Sequence, residues 1–376
     1  MQIGLKQTQE IHRTDTRAYR KKLLLLAGAL VLLFFASLCI RVSSPGVISP
    51  ADTLINLKTW MHLSLGEWLN WPISLQKLQI IEGLPDYYET VSAFKINLIT
   101  VICGMMLALS GAVFQGVFRN PIAAPTMLGV SSGVEMGILI LVLLHGAKAY
   151  TMPLEKYVYC YIGAAIMLVL VIVMGKLASG KNKFSVIDLL LVGAILSQIA
   201  GAVSTYLSYT MDDETVLIYR EVSSAIYVNT DSSSFVFLAG AFLLSMVPMY
   251  FMRFSFNVLC FDNDQSYSMG INPRIMRFAV LIFGTVMITA AMVHCGAVGM
   301  ISLIVPHISR YIFGAEFGRL FYGNLLIGGG ILLLCRAVSS LFYFGYSGNL
   351  PIGVIVSLVC APIFVVMMVK QKRGWE

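Results

Sequence analysis

Long apolar runs broken by short polar stretches set the pattern of this chain. The first, residues 23–40, holds eighteen residues without a charge; at 1.5 Å per residue it covers roughly 27 Å, about one bilayer crossing. Nine further runs follow at 93–114, 131–144, 157–177, 187–209, 234–251, 275–293, 298–313, 320–344 and 352–369. The pattern predicts an all-α, polytopic membrane protein of about ten transmembrane helices. A cleavable leader is the competing reading of 23–40, but the residues after it, Arg41, Val42, Ser43, Ser44 and Pro45, offer no small-x-small cleavage site, so a retained helix is expected.

Polar breaks between the runs fix an orientation. Threading from a cytoplasmic N-terminus places Arg13, Arg17, Arg20, Lys21, Lys22, Lys176, Lys181, Lys183, Arg253, Arg274, Arg277, Arg310, Arg319, Lys370, Lys372 and Arg373 inside. The acidic residues Asp212, Asp213, Glu214, Glu221 and Asp231 fall outside, so both termini are expected in the cytoplasm. The divisions that follow are a cytoplasmic tail over 1–22, a membrane domain over 23–370 and a short tail over 371–376. The outer segment 41–90 is too long for a turn and carries Trp60, Trp68 and Trp71; a surface helix is expected there, anchored at the lipid interface or serving as a docking surface. The break 120–125, Asn-Pro-Ile-Ala-Ala-Pro, leaves backbone groups without helical partners, which a membrane tolerates only where protein or water satisfies them. A re-entrant or gating element fits.

Composition agrees with the pattern: 58% of the 376 residues are hydrophobic and 12% charged, roughly half the charged share of a soluble domain. The net charge of +7 sits beside the spans rather than in one stripe, which argues for topology and against nucleic acid. Seven scattered cysteines show no CxxC and no paired histidine spacing, so neither a metal nor a disulfide framework is expected. Gly175, Gly180 and Lys181 imitate a phosphate-binding loop, but Asn182 stands where Ser or Thr would hold magnesium and no strand precedes it. Catalytic residues and a permanently bound cofactor are not expected.

Ion-coupled transport needs ionisable groups near the midplane, and few are present. Glu135 lies one turn into the third run and Asp188 near the start of the fifth, where solvation or capping is the default. Arg336 falls inside an apolar run and must snorkel, pair or face water; a pathway role and a structural hydrogen bond both stay open. Ser197, Gln198, Ser204 and Ser208 recur at near-helical spacing and are candidates for pathway lining, with helix–helix hydrogen bonding as the alternative. The cytoplasmic stretch 256–273 is of mixed polarity and suits two short surface helices.

The run from Leu109 through Gln115, Arg119, Asn120, Pro121 and Pro125 to Gly133 resembles the signature of the FecCD family, permeases of siderophore, haem and cobalamin importers. Met269-Gly270, Gly296 through Pro306-His307 to Arg310, and Leu350-Pro351-Ile352-Gly353 followed by Ala361-Pro362 resemble three more of its segments, in order. The resemblance implies a type II ABC importer permease fold in a bacterial cytoplasmic (inner) membrane. It further implies a second permease copy or paralogue with the pathway between the two, cytoplasmic ABC ATPases that use ATP, and an external substrate-binding protein. Asp262, Asn263, Asp264, Gln265, Ser266, Met269 and Gly270 would then couple to the ATPase. Asn120, Pro121, Pro125, Pro306 and His307 would serve the gate, with His307 hydrogen-bonding locally rather than binding metal. The chain departs from the family at Ala93-Phe94-Lys95-Ile96, where only Lys95 keeps a docking charge, at Ser340 and Asn349, and at Ser302 in place of a usual glycine. An ion-coupled secondary transporter and a transport-inactive scaffold derived from a permease are the rival expectations.

Overall fold

The computed structural model describes residues 2–42, 46–68, 83–179, 186–224, 232–259, 261–342 and 350–373. In chain order its helices are α1 (Gln2–Leu38), α2 (Pro50–Trp68), α3 (Tyr87–Phe118), α4 (Val130–His145), α5 (Pro153–Ser179), α6 (Val186–Thr210), α7 (Asp213–Ser224) and α8 (Ser232–Met252). They continue as α9 (Ser255–Val258), α10 (Asn263–Ser268), α11 (Pro273–Cys295), α12 (Met300–Phe313), α13 (Phe317–Leu341) and α14 (Ile352–Arg373), with 3-10 turns at Pro125–Leu128 and Gly146–Thr151 on either side of α4. Each of the ten predicted runs falls on a helix. Eight are long and apolar enough to cross a bilayer, while α12 and the apolar stretch Ile352–Val366 are shorter. The chain is a multi-pass membrane protein.

Two boundaries differ from expectation. The tail expected over 1–22 is helical from Gln2, because nothing between Gly4 and Gly28 breaks a helix. The third helix extends to 32 residues, roughly 48 Å, longer than the hydrocarbon core is thick, and runs past the predicted stretch at its N-terminal end. There α2 packs on it, Trp60 lying 5.2 Å from Phe94. Asn56 donates to the Pro85 carbonyl (2.9 Å) and Thr90 Oγ1 (3.1 Å), and Arg41 pairs with Asp86 at 2.8 Å. Within 41–90 the residues Pro50–Trp68 are therefore helical, as α2. Trp71, Lys181, Lys183, Asp231 and Asn349, and the false phosphate loop at 180–182, lie outside the described residues.

The centre of the fold is α3, packed against α11, α12 and α13. Within its apolar window 78% of residues are buried, against 17% in the peripheral α6. Small residues make that approach possible, as lipid-solvated helices require. A Cβ on Gly104 would overlap the Gly328 carbonyl of α13, and one on Gly111 would overlap the Ser302 carbonyl of α12. The second contact has a particular cause: Pro306 lacks the N–H that would bond Ser302 O four residues earlier, and Gly111 lays its Cα against that carbonyl. Ser302 itself is fully buried and its hydroxyl donates to Gly299 O at 2.7 Å, so this departure alters packing. Arg336 is 3% exposed and donates to Asn97 Oδ1 of α3 at 2.5 Å, while Asn97 donates to Ser37 Oγ of α1 at 2.7 Å. The arginine thus bonds helix to helix through a buried polar chain.

Gly111→Ala is expected to cost about 1–3 kcal/mol, since the opposing atom is backbone and cannot swing aside. The thermal midpoint in detergent should fall by several degrees, while Gly240→Ala, where a Cβ meets nothing within 4 Å, should leave it unchanged. Equal midpoints for the two variants would contradict this packing account.

Candidate functional site

The C-terminal end of α3 stops at Arg119, which adopts the left-handed conformation (φ 49°). This turns the chain into the break at 120–129. Asn120 Oδ1 accepts from Ile122 N at 3.1 Å, and Asn120 N bonds back to Gln115 O. His307 of α12 donates from Nε2 to the Pro121 carbonyl at 2.9 Å. Gln115 donates to Leu303 O at 3.0 Å and accepts from Arg310, both on α12. Ala124 is extended before Pro125, as a residue preceding proline prefers, and Pro125 opens the 3-10 turn. Gly129 (φ 73°) then starts α4 where a side chain would meet Met167, Ser197 and the Gly193 carbonyl. The helix is thus broken over Asn120, Pro121 and Pro125, and His307 is bonded to that break.

Arg119 also faces the other way. Its guanidinium donates to Leu259 O (2.7 Å) and Phe261 O and lies 3.6 Å from Asp262. It therefore joins the break to the two short helices α9 and α10. Asn257 Oδ1 accepts from Phe317 N at 2.7 Å, and the rings of Phe256 and Phe317 sit 4.5 Å apart, fixing α9 on the start of α13. Ser266, fully buried, donates to Val258 O at 3.1 Å and folds α10 back on α9. Asn263 accepts from Arg277 at 3.2 Å, Gly270 (φ 79°) ends the unit, and Asn272 caps α11. Every other residue from 261 to 270 is exposed, including Phe261, Tyr267 and Met269.

On the opposite side of the fold lies a cavity of about 700 Å³, within the range of small-molecule sites. It is lined by Val134, Glu135 and Ile138 of α4, Tyr219 and Ser223 of α7, Met292 and Cys295 of α11, Gly296 and Ala297, and Pro351, Gly353, Ser357 and Leu358 at the start of α14. Buried Lys156 donates to the Val222 carbonyl at 2.9 Å, and Tyr150 bonds Glu221, so α7 is pinned as the roof. Burial raises the Tyr219 phenol above its ordinary value, and the nearby Glu135 charge pushes the same way.

A family profile described as the FecCD transport family matches residues 60–370. The chain belongs to this family. Family relatives include the molybdate import permease MolB of Haemophilus influenzae, 28% identical over 88% of this chain and 98% of its own. The vitamin B12 import permease BtuC of Salmonella arizonae is 28% identical over 96% and 98%. Among solved structures, a metal-chelate type ABC transporter in an inward-facing conformation covers 93% of this chain and 99% of its own, at 25% identity and a TM-score of 0.72.

Within this FecCD fold the polar residues of α6 are not in the cavity. Ser197 and Ser208 bond carbonyls four residues back, at Gly193 and Ser204 (2.8 Å each), Ser204 contacts Met136 Sδ at 3.1 Å, and Gln198 is exposed. Lys95 is half-buried two turns inside α3. Arg336 sits in the α1–α3–α13 chain, apart from both sites. Sequence reading passed over Arg119 and Gln115 as site residues although they stand in the signature run. It passed over Lys156 too, a lone lysine opening an apolar helix, and left Glu135 to the interface.

Removing the Arg119 guanidinium should loosen α9 and α10. Hydrogen bonds to a charged group contribute about 1.5–3 kcal/mol, so in Arg119→Ala the amides of 262–269 should exchange roughly 10- to 100-fold faster, with α13 unaffected. Unchanged exchange would show that the arginine does not hold the unit.

Proposed function

We propose that this chain is the permease subunit of an ATP-driven importer, alternating access between the outside and the cytoplasm, with the energy supplied by a separate ABC ATPase. The observation that carries the reading is the exposed unit at 261–270. It lies outside the spans, is clamped to the gate region by Arg119, and presents Phe261, Tyr267 and Met269 to the surroundings. Apolar side chains held out on a rigid, water-side element are what a docking partner buries. Asp262, Asn263, Asp264, Gln265 and Gly270 would complete that contact.

A second permease copy or paralogue would cover the outward face of α6, where Ile187, Leu191, Ile195 and Ile199 are exposed, and place the cavity beside the pathway. An external or periplasmic binding protein would deliver cargo from above, near α2 and Lys95. This arrangement suits a bacterial cytoplasmic membrane with both chain ends inside. The cargo is of the kind named for the relatives, an iron–siderophore chelate, haem or a cobalamin-like compound. Molybdate, named for another relative, adds a small oxyanion to the class.

Co-expressed with its candidate ATPase and binding protein in proteoliposomes, the chain should accumulate one such cargo with ATP and not with an ion gradient alone. Met269→Glu should lower ATPase co-purification and uptake at least tenfold, a loss of about 1.4 kcal/mol or more. Uptake that follows an ion gradient and ignores ATP would overturn the assignment.

A further inference from the structure

The cavity under α7 is chemically lopsided. Val134, Ile138, Met292, Ala297 and Leu358 make it largely apolar, and among the described residues Glu135 is the single charged side chain in its lining. Nearby cations do not neutralise it from within the cavity. Lys156 spends its ammonium on the Val222 carbonyl and is not among the lining residues; His294 is buried against Tyr157. Among the described residues no hydrogen bond to the Glu135 carboxylate is recorded. An ionisable acid inside a membrane protein ordinarily faces a water-filled cavity or a partner. Here no such partner stands among the described residues, and the cavity is present.

We propose that Glu135 is a specificity-determining residue that selects cargo presenting a cationic or hydrogen-bond-donating group, such as a metal chelate carrying a free ammonium, and rejects bare oxyanions. This inference rests on the permease reading and narrows its cargo. Between low-dielectric walls a single carboxylate attracts a cation and repels an anion far more than it would in water. Repulsion of the wrong cargo is as much a part of selectivity as attraction of the right one. The two relatives named for molybdate and vitamin B12 mark the alternatives that such a charge would separate.

The cavity field is testable on the purified chain alone. Ser357 lines the cavity and is exposed, so Ser357→Cys reports on it through reaction with cationic and anionic methanethiosulfonates at pH 8, read by peptide mass. Relative to a free thiol, the cationic reagent should react roughly tenfold faster than the anionic one, and adding Glu135→Gln should erase that preference. No preference, or one that survives Glu135→Gln, overturns the inference whether or not the permease reading stands. In the transporting system, radioiron trishydroxamate with a free ammonium should be taken up about tenfold more slowly by Glu135→Gln, while its N-acetylated form should not change. Uptake of both forms unaltered by Glu135→Gln overturns this inference alone. Failure of any cargo to accumulate with ATP overturns the permease reading and this one with it.

Discussion

A backbone that breaks between membrane helices must find hydrogen-bond partners from protein or water, because lipid supplies none. This chain breaks at residues 119–129, and its polar architecture is organised around that break. His307 reaches the Pro121 carbonyl, Asn120 closes its own turn, and Gln115 and Arg310 bond one another above the break. Pro306 creates a further orphan at Ser302 O, and Gly111 covers it by close approach. The conspicuous residues of the signature run are therefore mutual: each answers a vacancy that another opens.

That arrangement gives the break two mechanical neighbours. At its start Arg119 holds α9 and α10 by two carbonyls and Asp262. At its end Gly129 begins α4, the helix that carries Glu135 into the cavity. Gly133 of α4 and Gly163 of α5 meet so closely that a Cβ on either would overlap the other's backbone, so α4 and α5 form one stiff pair. A push on the exposed unit at 261–270 has a short, bonded route to the cavity wall. Coupling through packed, discrete elements of this kind is how small displacements reach distant sites.

The ten apolar runs were legible as helices because long stretches with at most an isolated charge admit few other fates, and the short α9–α10 unit because a polar stretch ended at Gly270 and Asn272-Pro273. The break at 120–125 was legible from its two prolines. The cavity was not: its lining comes from four helices far apart in sequence, and no periodicity in one segment announces it. The role of the α6 serines was not legible, since a hydroxyl on a helix satisfies itself on the carbonyl one turn back whether or not it faces a pathway. Arg336 left two readings open because charge in an apolar run implies a partner without naming it; Asn97, 239 residues away in sequence, could not be paired with it in advance.

The most direct measurement of this account is the width of the cavity, read between spin labels at Tyr219 and Ser357, in the assembled transporter with and without bound nucleotide. The account predicts that nucleotide changes this distance in the native chain and leaves it unchanged in Arg119→Ala, even though nucleotide is still bound and hydrolysed. The same change in both chains would contradict a route through Arg119 and the break at 119–129.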